Sequence, residues 1–291
     1  MKGIILAGGK GTRLYPVTQA TCKQLLPVYD KPMIYYPLSV LMQGGIREIL
    51  LITTPEDRPR FEALFGDGSF LGLEISYAEQ QEANGIAQAF LIGASFIGHS
   101  PVCLILGDNI FYGEHLDRLL APLARWQTGA MIFGYEVQDP SQYGVLDYDE
   151  EGNIADIVEK PLHPPSRYAV TGLYCYGPEV IALARTLRPS PRLEYEITDL
   201  NRIYLREGSL QVTYLDRGFA WLDTGTHEAL QQASTYVQVM SARQGIQIAC
   251  LEEIAFKKGF ISADQLSLLS EKMPQSSYSA YLKRRSHALS S

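Results

Sequence analysis

Apolar and polar positions follow two rhythms along this chain, and the place where one gives way to the other divides it. Ile4, Ile5 and Leu6 form a run the length of a buried strand, and similar runs recur at Glu48 to Thr54, Leu73 to Ala78, Val102 to Asp108 and Ala130 to Val137. Between them, Pro32 to Gly44, Arg58 to Phe65, Gly85 to Ser95 and Glu114 to Trp126 carry the apolar spacing of helices packed on a sheet. That alternation predicts an α/β fold, a mostly parallel twisted sheet with helices on both faces.

After residue 140 the rhythm changes. Two alternating runs flank Glu151, Gly152 and Asn153, which predicts an antiparallel hairpin insert. Tyr168 to Tyr176 reads as another strand, followed by helices beginning near Pro178 and Thr198 and by a strand from Leu210 to Asp216. A helix is expected from Thr226 to Arg243, with His227, Glu228 and Gln231 on its wet side. The chain beyond it is helical and has no hexapeptide repeat that would build a β-helix. Tyr278, Tyr281 and Leu282 there are expected to pack on the body or on a neighbouring subunit.

At 291 residues, 46% hydrophobic and 20% charged, the chain holds enough apolar material for one large α/β domain or two smaller ones. A net charge of −7 argues against a general nucleic-acid binder and for a small anionic ligand. The opening MKGIILAGG is too short in apolar residues for a signal sequence, and no segment reaches membrane-spanning length, so a cytoplasmic location and no membrane partner are expected. Cys22, Cys103, Cys175 and Cys250 are scattered without C-x-x-C spacing and read as reduced core thiols. Cys22, beside Lys23, has a second reading as a thiol of lowered pKa. His99, His115, His163, His227 and His287 make no H-E-x-x-H pattern, which leaves a transition-metal site without support.

The candidate chemistry begins at the first turn. Residues 3 to 16 read GIILAGGKGTRLYP, so Gly8, Gly9 and Gly11 follow the first strand, with Arg13 close behind and Lys23 further on. Glycines let the backbone turn sharply and aim N–H groups at an anion, and the two cations add charge. A Walker A loop fails because Gly9-Lys10 is followed by Gly11, and a G-x-G-x-x-G fingerprint fails at Leu14, which also disfavours a nicotinamide oxidoreductase. Asp108 closes an apolar strand, where ligands of open α/β folds sit, and Asp223 lies in FAWLDTGT. Two carboxylates brought to one edge can hold Mg²⁺, which takes few protein oxygens plus waters and phosphates.

The glycine turn with Lys23-Gln24-Leu25-Leu26-Pro27 resembles the signature of sugar-nucleotide pyrophosphorylases. LGDN (Leu106 to Asn109), YGV (Tyr143 to Val145), EKP (Glu159 to Pro161), VTGLY (Val170 to Tyr174), SPRLEYEITD (Ser190 to Asp199) and WLDTGT (Trp221 to Thr226) follow in the order found in one branch. Over nearly its entire length the chain is similar to the glucose-1-phosphate thymidylyltransferases.

The resemblance implies a Rossmann-like nucleotidyltransferase core over 1–225, its nucleotide-binding part about 1–110 and its sugar-binding part about 111–225. Residues 226–291 would then form a helical segment on the core or at a subunit interface. It implies Mg²⁺-dependent transfer of a thymidylyl group from dTTP to glucose 1-phosphate. Arg13, Lys23, Asp108, Lys160, Arg192 and Asp223 are implied as catalytic, and Asp108 and Asp223 as metal ligands. Leu6, Gly8, Gly9, Gly11, Thr12, Arg13, Lys23, Gln24, Gln80, Gly85 and Asp108 would bind the nucleotide. An amide side chain suits thymine, which offers one N–H donor between two carbonyl acceptors. Asn109, Tyr143, Gly144, Glu159, Lys160, Val170, Thr171, Gly172 and Arg192 would bind the sugar phosphate. Lys10 adds a cation within the turn. The family also implies a homotetramer with feedback by a dTDP-deoxysugar at a second site, for which Gly113, Arg217, Glu253 and Lys257 are the candidates. Uridylyl transfer and a non-catalytic sugar-nucleotide sensor are the alternatives.

Overall fold

A computed structural model describes residues 1–9 and 11–290, apart from the side chains of 287–290, so Lys10 lies outside the described residues. The chain opens with β1 (Lys2–Ala7), a small hairpin of β2 (Pro27–Val28) and β3 (Lys31–Pro32), α1 (Tyr35–Gln43), β4 (Glu48–Thr53), α2 (Arg58–Phe65) and β5 (Glu74–Glu79). Then come α3 (Gln88–Ile92), α4 (Ala94–Ile97), β6 (Val102–Leu106), β7 (Asn109–Gly113), α5 (Leu116–Leu120), β8 (Ala130–Glu136), β9 (Gly144–Tyr148) and β10 (Ile154–Glu159). β11 (Tyr168–Tyr176), α6 (Val180–Ala184), α7 (Ile197–Arg206), β12 (Leu210–Leu215) and β13 (Phe219–Asp223) complete the sheet region. Four helices follow: α8 (His227–Gln244), α9 (Leu251–Lys257), α10 (Ala263–Lys272) and α11 (Ser277–Ser290).

The first half of the main sheet is parallel, in the order β6-β1-β4-β5. Successive strand residues face opposite sides, which is why these strands are apolar throughout. Ile5, Leu51 and Cys103 pack with α1, α2 and the C-terminal helices, while Ile4, Leu50 and Leu104 pack with α3, α6 and α7. Helices therefore cover both faces, as the sequence rhythm predicts.

β11 turns the second half antiparallel. It pairs with β6 through Leu173 to Tyr176, with β9 only at Ala169, and with β8 along its other edge. β9 and β6 diverge along one side of β11, and the gap between them opens beside Val170 and Gly172. The hairpin around Gly152 is present as β9 and β10, with Gly152 at φ +84. β7 and β13 form a separate two-stranded antiparallel ribbon that the apolar rhythm did not announce.

Two expected helices are shorter than the pattern suggested. The Gly85 to Ser95 stretch forms α3 and α4, broken at Gly93. The Glu114 to Trp126 stretch yields α5 and then a tighter turn at Ala121–Arg125, where Pro122 has no N–H to continue the helix. The expected strand to Asp108 ends at Leu106, and α1 starts at Tyr35 because Lys31–Pro32 is taken into β3. His227, Glu228 and Gln231 are exposed on α8, whose start is capped by the Thr226 hydroxyl accepting the N–H of Ala229.

The C-terminal helices pack on the body. Tyr281 and Leu282 are buried against α9, and Lys31 is buried beneath the Tyr278 ring, 5.6 Å from its centroid, and paired with Asp30 at 2.5 Å. Burial pulls the Lys31 ammonium below its ordinary pKa, against the pull of Asp30.

Candidate active site

The glycine turn leaves β1 at the carboxyl edge of the parallel strands. Gly11 has φ +61, in the left-handed region that glycine tolerates, and a short turn from Thr12 to Leu14 follows. Gly8 has no room for a side chain, since a Cβ would collide with the Gln80 amide oxygen. Leu6, Gly9, Gln24, Gln80, Gly85 and Asp108 line one cleft together with Ala83, Ile86, Leu106 and Glu194. Gln80 is fixed by donating to Gln88 Oε1 at 2.7 Å, while Gln24 Oε1 is buried with no protein donor. Thr12 is exposed on the turn beyond this wall.

A second cavity, about 220 Å³ in volume, adjoins the first. Arg13, Asn109, Tyr143, Gly144, Glu159, Lys160, Val170, Gly172 and Asp223 are in its wall, as the sequence suggested, and Asp108, Leu106 and Ile86 line both cavities. The divergence of β9 from β6 makes this space. Lys160 is held in the left-handed region at φ +42 with its N–H donated to the Tyr143 carbonyl at 2.9 Å. Glu159 accepts from the Thr198 hydroxyl at 2.5 Å.

Charges concentrate where the cavities meet. Lys23, only 5% exposed, puts Nζ 2.5 Å from Asp108 Oδ2. Asp223 ends β13 in register with Asn109, the residue after Asp108, so the ribbon brings the two carboxylates together. Burial, and then the neighbouring Asp108, push the Asp223 carboxyl up, with Lys23 and Arg13 opposing. The Arg13 guanidinium lies over Gly225, where a Cβ would stand 3.0 Å from Nη2. Two carboxylates in one cavity wall offer the kind of hard oxygen donors that suit a divalent cation.

Three expectations change. Arg192 does not line either wall: its guanidinium stands behind them, 3.1 Å from Glu159, 3.5 Å from Glu194 and 2.8 Å from Glu196. Thr171 is fully buried and lies on the opposite face of β11 from Val170 and Gly172, so alternation turns its side chain away from the cavity they line. The second reading of Cys22 fails, because burial pushes its thiol up to about 11. Trp221, Thr198 and Ile86 were not singled out, yet they line the second cavity. Trp221 stands two residues before Asp223 in WLDTGT, and two residues along a strand return to the same face.

A larger cavity of about 570 Å³ lies between β7, α9 and α11 and is lined by Gly113, Glu253 and Lys257. Arg217 is exposed at the turn before β13 and is not among its lining residues. Glu253 is buried, accepting from Tyr281 and paired with Lys257 at 2.9 Å and Arg285 at 2.8 Å. Among the described residues, no helix is long and apolar enough to cross a membrane.

A glycine-rich turn and a carboxylate pair thus lie at the open edge of an α/β sheet, with two cavities that share Asp108. A nucleotidyl transferase family model matches residues 2–239. The glucose-1-phosphate thymidylyltransferase of Neisseria meningitidis serogroup A is 55% identical over 284 residues, covering 98% of this chain and 99% of that protein. That of Mycobacterium tuberculosis is 52% identical over 97% of this chain and 98% of its own length. The chain belongs to the nucleotidyl transferase family and, within it, to the glucose-1-phosphate thymidylyltransferases. Among solved structures, a Bacillus anthracis protein assigned to the same enzyme and crystallised with a sucrose matches with a TM-score of 0.75 at 41% identity, over 81% of this chain and 94% of that one. A UDP-glucose pyrophosphorylase bound to UDP-glucose matches with a TM-score of 0.71 at 26% identity, over 82% of this chain and 98% of that one.

Proposed function

We propose that this chain transfers the thymidylyl group of dTTP to α-D-glucose 1-phosphate, forming dTDP-glucose and pyrophosphate. The observation that carries this reading is the shared wall: Asp108 lines both cavities, with Lys23 and Asp223 beside it, so two phosphorylated ligands would meet at one charged centre.

A phosphate oxygen of the sugar phosphate attacks the α-phosphorus in line, the bond to the bridging oxygen of pyrophosphate breaks, and pyrophosphate leaves. Two anions must be brought together, so the protein's work is positioning and charge neutralisation rather than covalent chemistry. Backbone N–H groups of Gly8, Gly9, Gly11 and Thr12 and the Arg13 guanidinium hold the triphosphate, and Lys23 offsets its charge. Gln24 and Gln80 read the base above Leu6 and Gly85, and the orphaned Gln24 acceptor suits the thymine N–H. Tyr143, Gly144, Glu159, Asn109 and the Val170 to Gly172 strand wall the sugar, with Lys160 and Arg192 for its phosphate. Asp108 and Asp223 would hold Mg²⁺, which supplies positive charge to the reacting phosphates when bound.

The nucleotide cleft draws its walls from residues before 110, Glu194 apart, which supports a nucleotide-binding part of about 1–110 and a sugar-binding part of about 111–225. Helices from 226–291 complete the chain, and the family likeness supports a cytoplasmic homotetramer. The cavity at Gly113, Glu253 and Lys257 is the site we assign to feedback by a dTDP-deoxysugar.

Pyrophosphate release with dTTP and UTP side by side tests the reaction. One methyl is worth only ~1–3 kcal/mol, so dTTP is expected to win by a bounded ratio. Equal efficiency with UTP would sink the thymidylyl assignment, and no product at saturating substrates would favour a sensor.

A further inference from the structure

Two loops that are distant in sequence are joined by their backbones. Residues 84–87 close the nucleotide cleft, and residues 190–196 carry Arg192. The Tyr195 N–H donates to the Asn84 carbonyl at 2.7 Å, and the Ala87 N–H donates to the Tyr195 carbonyl at 3.2 Å. Gly85, between these two bonds, has φ +103, and a Cβ added to it would stand 2.5 Å from both N and O of Tyr195. The two chains thus meet backbone to backbone, an approach that only glycine permits.

The far end of the joined segment reaches the sugar side. Glu194 lines the nucleotide cleft and lies 3.5 Å from the Arg192 guanidinium. The same guanidinium lies 3.1 Å from Glu159, a wall residue of the sugar cavity. A tight turn keeps these parts in step: the Leu193 N–H donates to the Ser190 carbonyl at 2.8 Å, and the Ser190 hydroxyl donates to Glu196 at 2.6 Å and accepts the Arg192 N–H at 3.2 Å. Leu193 itself sits at φ +61, in the left-handed region.

We infer that the Gly85–Tyr195 contact makes residues 190–196 a coupling segment, through which occupation of the nucleotide cleft sets the stance of Arg192 at the sugar cavity. Gly85 and the Tyr195 backbone are its positioning residues, and the inference rests on the two-ligand reading above. A nucleotide that presses on residues 84–87 and on Glu194 moves Tyr195 with them, because two hydrogen bonds tie it there. Arg192 then redistributes among Glu159, Glu194 and Glu196. Leaving Glu159 has a double effect, since it frees a cation for the sugar's phosphate and a carboxylate for its hydroxyls.

Hydrogen exchange on the unmodified protein with dTTP alone tests this, since no turnover occurs without the sugar phosphate. Slowed exchange in 80–87 and at the amides of Arg192 and Leu193, neither of which lines the cleft, is the expected result. Slowing confined to 80–87 overturns the coupling and leaves the nucleotide reading intact, whereas no slowing in either segment overturns both. Steady-state kinetics provide the second measurement. G85A is expected to raise KM for glucose 1-phosphate by roughly tenfold, and to add less than about twofold when Arg192 is already replaced by Lys, because both changes act on one interaction. Full additivity of the two replacements overturns the assignment.

Discussion

The indole N–H of Trp221 donates to Oδ1 of Asn109 at 2.6 Å, and the same oxygen accepts the backbone N–H of Gly172 at 3.2 Å. The other arm of that amide donates to Asp108 Oδ1 at 3.0 Å. One buried side chain thus ties the sugar wall to the carboxylate at the junction. Asn109→Ala would strand two buried donors, and urea unfolding is expected to show a loss of about 2–4 kcal/mol. KM for the sugar phosphate should rise more than KM for dTTP, and equal changes in the two would show that the tie is only structural.

Asp223 and Asp108 repel in a buried setting, and the Asp223 carboxyl is raised by burial first and by Asp108 second. Asp223→Asn removes that repulsion, so its melting temperature is expected to equal or exceed that of the parent. Turnover is expected to fall ~10²-fold or more, because a charged oxygen is lost from an electrostatic site. Near-normal turnover would refute the role of Asp223 as a metal ligand.

Glu253 carries the pH dependence of the C-terminal docking. Burial raises its pKa, but the Tyr281 hydroxyl, Lys257 and Arg285 outweigh burial and hold it below the ordinary 4.5. A carboxyl lowered by folding stabilises fully above its unfolded value, and that contribution fades as pH falls through the lowered one. Melting temperature should therefore be flat near neutrality and fall below about pH 4.5. Glu253→Gln should cost about 1–3 kcal/mol at pH 7, with the difference closing in acid as calorimetry follows both proteins down.

Thiol chemistry offers a simple check on the core. All four cysteines are free and buried, with burial raising Cys22 to about 11 and Cys250 to about 12. An aromatic disulfide reagent is expected to modify none of the four in the folded protein and all of them in urea. Fast labelling of the native chain would contradict this burial.

Much of the site is legible in residues whose chemistry is local. Gly9 of the glycine turn, Asp108 just past the end of β6 and the Glu159-Lys160 pair belong to short-range patterns, and each lines a cavity. What the sequence concealed depends on partners far along the chain. β7 and β13 pair across more than a hundred positions, a partnership that no local pattern announces. Arg192 looks like a free cation in sequence because the three carboxylates that hold it include Glu159, on another strand. Cys22 looks activated beside Lys23, but Lys23 turns its charge to Asp108.

The β7–β13 ribbon also has an architectural consequence. Its strands bracket residues 114–218, an excursion that leaves the ribbon at Gly113 and rejoins it at Phe219. The spacing of the acid pair is set by a backbone ladder at the base of that excursion. New sugar preferences could be drafted in the loops above while the charged junction beneath them keeps its gauge.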